Sequence, residues 1–230
     1  MCIFAIIIFK YKHKIYEYTE DKNEITITGL TDYGRTQTKL KIPKYIKGHK
    51  VTSIGHRAFA ECGLIEEVEI PDSVHVIEGA AFAECKNLKC VNMLGCADIE
   101  NMAFSRCESL EEFYINEGQI SIGSGSFYST GLLNIDEMLK YVENLGESSF
   151  LGCNKIKEII IPNNVKTIQA QAFGDCTLLK EIVIPSSVEE IGDDIFRNIK
   201  SDVTIITSSG SVAEQYAIDN NIAYSISKEL

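Results

Sequence analysis

Residues 179–196 read LKEIVIPSSVEEIGDDIF, and the features of this stretch recur along most of the chain. The phenylalanine at its end is one of seven that stand 22 or 23 residues apart: Phe59, Phe82, Phe104, Phe127, Phe150, Phe173 and Phe196. A fixed period of this length means that each copy is one supersecondary unit, which cannot bury its own apolar face and must stack on its neighbours. The sequence therefore predicts a solenoid.

A strand signature follows most of these phenylalanines. In the quoted stretch it consists of Ile182 and Ile184, which stand nine and eleven residues after Phe173. The same two positions hold Val68 and Ile70, Val91 and Met93, Phe113 and Ile115, and Ile159 and Ile161 in other copies. An alternation of period two places each pair on one face of an extended segment, and β-branched residues suit such a segment. We therefore predict a strand in each of these copies.

Two further features precede the phenylalanines. An aliphatic residue stands five positions before each one, and a glycine often follows it, as at Gly55, Gly123, Gly146 and Gly192. Glycine at this point would permit a tight corner. A small residue directly precedes most of the phenylalanines, with Ile195 as the exception. This pattern fits a short helical or 3₁₀ turn pressed against the neighbouring copy.

The repeat resembles that of the BspA-like leucine-rich-repeat family, whose usual Ala-Phe-x-x-Cys is matched by AFAEC at residues 81–85. The resemblance covers roughly residues 24–226. It implies an α/β fold, namely a leucine-rich-repeat right-handed solenoid with a parallel sheet, short helical or 3₁₀ turns and terminal caps. It also implies a secreted or surface-attached protein with a role in adhesion or binding.

The predicted organisation is a single elongated domain, as expected for 230 residues of which 45% are hydrophobic. Residues 1–39 would form an N-terminal capping region, residues 40–207 the tandem repeats and residues 208–230 a C-terminal cap. Within the caps, residues 14–18 and 24–28 alternate like the strands of a hairpin. Val212, Tyr216 and Ile218 have helical spacing, and residues 222–226 look extended.

The first ten residues contain an apolar run at residues 2–9. The run is too short for a transmembrane helix, which needs about 20 apolar residues. The basic residues Lys10, Lys12 and Lys14 follow it, whereas a signal peptide has its positive charge in front. The alternatives are a capping strand or truncated start, a degenerate export signal, and a membrane-associated tail. We predict no transmembrane segment and find no convincing signal peptide.

Five of the eight cysteines share one phase of the repeat: Cys62, Cys85, Cys107, Cys153 and Cys176. Neighbours in this phase should lie one rung apart, about 4.8 Å between backbones, a spacing that is compatible with a disulfide. Thiols also behave as small buried hydrophobes. The main prediction is a reduced structural ladder, and the alternatives are disulfides or a metal thiolate site. Cys90 falls on a solvent-pointing strand position, and Cys90 and Cys96 are the cysteines to compare with the ladder.

Enzyme chemistry finds little support in the sequence. The four histidines, His13, His49, His56 and His75, occupy different phases of the repeat, and no triad motif accompanies them. We expect them on the surface. We predict no enzymatic activity, no cofactor and no metal site. A net charge of −11 without a basic cluster also disfavours a nucleic-acid partner.

Positions eight and ten after each phenylalanine point away from the predicted core and form the candidate binding face. The residues selected there are Glu67, Glu69, Glu112, Tyr114, Glu137, Glu158, Ile160, Glu181 and Val183. Six of them are acidic and none is basic, so the stripe suits a basic partner or divalent cations, with Tyr114, Ile160 and Val183 as apolar anchors. The alternative is an ordinary solvated face.

One copy departs from the pattern between Leu133 and Leu145. Asp136 stands where an inward Ile or Val belongs. A buried unpaired carboxylate would be costly. Either the strand slips by one residue so that Ile135 turns inward, or this copy is partly helical.

These observations predict a non-catalytic protein-binding or adhesion module that presents a repeat-built surface. The alternative is an intracellular leucine-rich-repeat scaffold that uses the same face. The expected partner is a protein or cell-surface ligand of basic character.

Overall fold

A computed structural model describes residues 11–12, 14–95, 97–116 and 118–228. The apolar run at residues 2–9, His13 and Cys96 lie outside the described residues.

Strands alternate with turns along the whole described chain. The strands before the middle of the chain are β1 (Tyr11–Lys12), β2 (Tyr16–Asp21), β3 (Glu24–Leu30), β4 (Lys39–Lys41), β5 (Tyr45–Ile46), β6 (His49–Ile54), β7 (Glu67–Ile70), β8 (Val76–Ile77), β9 (Cys90–Met93), β10 (Asp98–Ile99), β11 (Glu112–Ile115) and β12 (Ile120–Ile122). Those that follow are β13 (Val142–Leu145), β14 (Glu158–Ile160), β15 (Thr167–Ile168), β16 (Glu181–Val183), β17 (Glu190–Ile191), β18 (Thr204–Thr207) and β19 (Ala223–Ile226). Helix is limited to a 3₁₀ turn (Gly34–Thr36), α1 (Asp136–Leu139) and α2 (Val212–Asp219) in the described residues.

The strands form three sheets. Sheet 1 has the order β1-β2-β3-β6-β8-β10-β12-β13-β15-β17, and β5 pairs with β6. Sheet 2 has the order β11-β9-β7-β4, and sheet 3 has the order β14-β16-β18-β19. We call the seven copies coils 1 to 7 after their phenylalanines, from Phe59 to Phe196. The chain is a parallel β-solenoid of about nine turns with few helices, which confirms the predicted fold.

Antiparallel pairs occur near the N-terminal end. β2 and β3 form the predicted hairpin, turning at Lys22 and Asn23, both of which have positive φ. β5 and β6 form a second hairpin, which turns at Lys47 and Gly48 and contains the extra residues of this part of the chain.

The seven phenylalanines form one continuous ladder through the core, and each side chain is fully buried. Their ring centroids are 4.9 to 6.4 Å apart, and the rings from Phe82 onward are stacked. Phe113 adds edge contacts to Phe104 and Phe127 at 5.3 and 5.2 Å. Because each ring contacts the next coil, the ladder joins the coils from the inside.

The turn around each phenylalanine contains the i to i+3 hydrogen bonds of a 3₁₀ turn, as in Ala60 N to Arg57 O. It does not continue as a helix, because the residues two before and two after each phenylalanine have positive φ. Alternate main-chain N–H groups of the turn donate to the next coil instead, as Phe82 N does to Ala103 O and Glu84 N to Ser105 O, both at 2.8 Å. The turns therefore form a third hydrogen-bonded side of each coil.

The glycines that follow the aliphatic residue of a copy were expected to permit a tight corner. The structure gives a different reason for glycine at this position. Gly55, Gly123, Gly146 and Gly192 do not have positive φ. Instead, a Cβ atom at each of them would lie 2.5 to 2.9 Å from an atom of the neighbouring coil. Glycine at this position thus permits close stacking of the coils.

Candidate functional site

The candidate face consists of the outward side chains of sheets 2 and 3. In sheet 2, Glu67 and Glu69 lie on β7 and Glu112 and Tyr114 on β11, with β9 between them. In sheet 3, Glu158 lies beside Glu181, and Ile160 lies beside Val183. Inward neighbours on the same strands, such as Val68 and Ile182, are buried. The structure thus brings eight of the nine selected residues into two separate groups.

The acidic stripe is neutralised at its N-terminal end. Lys39 and Lys41 project from β4 beside β7, and their Nζ atoms lie 2.7 and 2.6 Å from carboxylate oxygens of Glu67 and Glu69. These lysines were not among the predicted face residues, because β4 precedes the first phenylalanine from which positions were counted. The signal was present in the stretch KLKIP at residues 39–43, which alternates like VEIP at residues 68–71.

Coil 4 separates sheets 2 and 3, and its irregular segment is helical, as the second alternative predicted. Ile135 is buried, as the first alternative required, but it directly precedes α1 and does not lie in a strand. Leu132 is in the core while Leu133 is exposed, so the inward position of this coil is shifted by one residue. Asp136 is not an unpaired buried charge, since its Oδ1 accepts a hydrogen bond from Ile160 N at 3.0 Å. Asp136 therefore caps the free edge of sheet 3.

Glu137 does not join the face. It lies on α1, and its carboxylate pairs with Lys140 at 2.6 Å. Among the described residues this leaves Glu112, Glu158 and Glu181 as the carboxylates of the selected set without an ion pair. A basic partner could contact these three without displacing a lysine of the chain itself.

An apolar row runs beside these carboxylates. The side chains of Tyr114 and Ile160 are 51% and 54% exposed, and Val183 is half-buried. Partial desolvation and the nearby Glu112 carboxylate raise the pKa of Tyr114. Burial, followed by the charges of Glu112 and Glu67, raises the pKa of Cys90 on the strand between. This face therefore combines anionic and apolar groups in two adjacent rows.

Paired charges border the starts of the face strands. Lys89 lies 2.7 Å from Glu66, and Lys155 lies 2.6 Å from Glu111. Lys157 and Lys180, both exposed, directly precede Glu158 and Glu181. The negative charge of the face is thus confined to the positions on the strands themselves.

The cysteines of the ladder lie in the core as free thiols, apart from Cys62, which is half-buried. The Sγ atoms of Cys85, Cys107, Cys153 and Cys176 each donate to the carbonyl oxygen of the phenylalanine one coil back, at 3.0 to 3.2 Å. Burial raises the pKa of Cys62 and of Cys153 to about 11, and raises that of Cys107 and Cys176 well above its usual value. These thiols therefore serve as buried packing groups and hydrogen-bond donors, and not as reactive groups.

We expect iodoacetamide to modify Cys90 in the folded protein, and to modify Cys85, Cys107, Cys153 and Cys176 only after unfolding. The reason is that the thiolate is the reacting species. Burial blocks access to all four core thiols, and it also raises the pKa of Cys107, Cys153 and Cys176. Peptide mass mapping after timed labelling would measure each site. Equal labelling of Cys90 and Cys153 in the folded protein would contradict the ladder described above.

The described residues contain no group of three or more His, Cys, Asp or Glu side chains that could hold a metal ion. His56 and His75 are exposed, and His49 lies 3.3 Å from Glu20. Within the same part of the chain, every helix is too short or too polar to cross a bilayer.

Comparison with known proteins identifies the family. The family model described as the BspA type leucine rich repeat region matches residues 33–140 and 98–225, with six copies. The chain belongs to the BspA-type leucine-rich-repeat family. The repeats of this family thus account for coils 1 to 7 and for much of the chain on either side. No curated protein sequence matches the chain.

Solved structures of leucine-rich-repeat proteins share the fold. A leucine-rich-repeat protein of T. pallidum is 20% identical, and the match has a TM-score of 0.67 and covers 95% of this chain and 99% of the other. A leucine-rich-repeat protein of Bacteroides ovatus is 22% identical, with a TM-score of 0.56 and a coverage of 96% of this chain and 68% of the other. At these identities the likeness establishes the fold alone.

Proposed function

We propose that this chain is a non-catalytic protein-binding module whose ligand contacts the candidate face of sheets 2 and 3. The observation that carries the proposal is the row of Glu112, Glu158 and Glu181, which make no ion pair among the described residues and stand beside Tyr114, Ile160 and Val183. Exposed apolar side chains rimmed by charge are typical of protein interaction sites. Membership in a repeat family built for extended surfaces supports the same function.

The spacing of the rows favours a basic helical segment as the ligand. Within each sheet the rows run along the stack with one rung about every 4.8 Å, and coil 4 interrupts them between Glu112 and Glu158. An α-helix laid along the stack repeats its contacting side chains about every 5.4 Å. An extended strand repeats one face about every 6.6 Å and would lose register after two rungs. A helix with Lys or Arg on one side of an apolar stripe would therefore match both rows.

At the finer level, we propose adhesion to a cell-surface ligand, with the family resemblance as its support. An intracellular scaffold with the same face is the alternative. Specific binding of the purified chain to intact cells, lost when the face is altered, would favour adhesion. Binding that is retained after alteration of the face would argue against it.

Charge reversal at Glu112 and Glu158 is expected to weaken binding of a basic peptide roughly ten- to hundredfold. The probes are immobilised synthetic helical peptides graded in net charge, and the readout is the dissociation constant of the purified Glu112→Lys/Glu158→Lys variant against the native chain. Binding by the native chain should increase with peptide charge and fall with added salt, because exposed charges are screened.

The matched control is Glu147→Lys/Glu190→Lys. Both residues are exposed, make no ion pair in the described structure, and lie on the side of sheet 1. The control changes the net charge by the same amount and should bind like the native chain. Equal weakening by both double variants would mean that net charge alone attracts the peptides, and would remove the face from consideration.

A further inference from the structure

The C-terminal edge of sheet 3 differs from the other edges of the two face sheets. β4 presents Lys39 and Lys41, β11 presents Glu112, and β14 presents Glu158. Charge on an edge strand discourages pairing with another chain. β19 (Ala223–Ile226) has no charge and no proline, and its outer edge pairs with no strand of the described chain. Within the described residues, this edge can therefore accept an added strand.

The last strand also leaves apolar side chains uncovered. Tyr224 and Ile226 are in register with the buried Ile205 and Thr207, so they continue the inner side of the stack. They are nevertheless 41% and 44% exposed. On α2, which packs against β18 and β19, Val212 and Ile218 are exposed as well. Four of the twelve exposed large apolar side chains in the described part of the chain are thus concentrated at this end.

The hydrogen-bonding groups of β19 define how a second strand can pair. Ser227 N donates to Thr207 O at 2.8 Å, so the groups of residues 223, 225 and 227 face β18. The N–H and C=O groups of Tyr224 and Ile226 consequently face the open edge. In an antiparallel pair, the residues that exchange hydrogen bonds must both come from this outward set.

We propose that β19 is a self-association edge, at which two copies of this chain pair antiparallel about a two-fold axis through Ser225. Tyr224 of each copy then lies opposite Ile226 of the other, and both pairs exchange their outward N–H and C=O groups. The same pairing joins an aromatic to a β-branched side chain, which is a favourable cross-strand combination. The proposal does not depend on the ligand face.

Self-complementarity is what favours a second copy over another occupant. One strand supplies both members of each pair, and no like charges are opposed across it. Ser225 is small enough for the close approach at the axis, where opposite Cα atoms of a non-hydrogen-bonded pair are about 4.5 Å apart. The result is one sheet formed from two four-stranded sheets. A four-residue strand buries less than the ~800 Å² per partner of a standard interface, so the dimer is weak and concentration-dependent.

Sedimentation velocity of the 230-residue chain over a range of concentrations tests the proposal first. The native chain should show a reversible shift from monomer to dimer, and Ile226→Lys should abolish it. Leu178→Lys is the control, because Leu178 is similarly exposed but distant from β19 in the chain. Circular dichroism checks that both variants fold. A native chain that is monomeric at every concentration, or a dimer unaffected by Ile226→Lys, would overturn the proposal.

Cross-linking tests the register. Under mild oxidation, Ser225→Cys should give a covalent dimer, since the two introduced thiols would lie within the distance that a disulfide spans. Ala223→Cys should not, because its two copies would be ~13 Å apart along the strands. Both positions are exposed on the same strand, so they differ only in their distance from the axis. Equal cross-linking by the two variants, or none by Ser225→Cys, would refute this pairing.

Discussion

Phe104→Ala is expected to lower the free energy of unfolding by about 3 to 5 kcal/mol, the largest loss that we predict for a single substitution. The Phe104 ring is fully buried, stacks on Phe82 and Phe127 at 5.0 and 5.5 Å, and meets Phe113 edge-on at 5.3 Å. Its removal would leave a cavity between coils that hold each other in place. Urea unfolding followed by circular dichroism would measure the loss.

Phe196→Ala is the matched control at the end of the ladder. Phe196 is equally buried, but its ring stacks only on Phe173, at 6.4 Å, in the described structure. We expect a smaller loss there, because fewer aromatic contacts disappear and the terminal coil has one neighbouring coil of the ladder. Equal losses for the two variants would show that the ladder does not gain stability from being continuous.

Gly146→Ala is expected to cost about 1 to 3 kcal/mol, a large effect for the addition of one methyl group. The added carbon would lie 2.5 Å from Ile122 O and within 3.0 Å of the carbonyl carbon and oxygen of Gly123. These atoms belong to the main chain of the preceding coil, so they cannot turn away as a flexible side chain would. The coils must separate locally to accommodate the change.

Gly63→Ala separates this clash from a general effect of alanine. An added carbon at Gly63 would have no neighbour within 4 Å, and Gly63 does not have positive φ. We expect no loss, and even a small gain from reduced freedom of the unfolded chain. Thermal unfolding of both variants side by side would decide. A loss at Gly63 as large as at Gly146 would contradict the stacking explanation.

The strands of sheets 2 and 3 were predictable because they repeat a strong signal. In most copies two buried apolar residues alternate on the strand or directly after it, as Ile182 and Ile184 do, and the phenylalanines fix the phase from copy to copy. The terminal hairpin, helix and last strand were predictable for similar reasons. A pattern that recurs at one period identifies the secondary structure even where a single short segment would fit either a helix or a strand.

Sheet 1 was not predicted as a sheet, although its apolar residues were noticed. Strands such as Val76–Ile77 and Asp98–Ile99 have two residues and one buried side chain each. No alternation can be read from so short a segment, and the pairing arises only when coils stack. The positive φ values around the phenylalanines were equally hidden, since residues such as Arg57 and Met102 adopt them in place of glycine.

The candidate face was predictable in part. Counting from the phenylalanines located the exposed positions of Glu112 and Glu158, because outward residues share the strand period. It could not locate Lys39 and Lys41, which lie on a coil without a phenylalanine. It identified coil 4 as irregular through Asp136, but not that Asp136 would bond to the main chain of another coil.

The ion pair between Lys155 and Glu111 has a consequence for how such a chain can lengthen. These residues stand 44 positions apart, so the pair reaches across coil 4, whereas the ladder and turn contacts join adjacent coils. Duplicating coil 6 would therefore lengthen the solenoid by one coil, and each coil would keep its contacts with the coils next to it. Duplicating coil 4 would place a second coil between Lys155 and Glu111 and so break their ion pair. Coil 4 is thus a position at which the solenoid cannot gain a coil without losing a contact. On the C-terminal side of coil 4, the solenoid can lengthen by duplication of a coil.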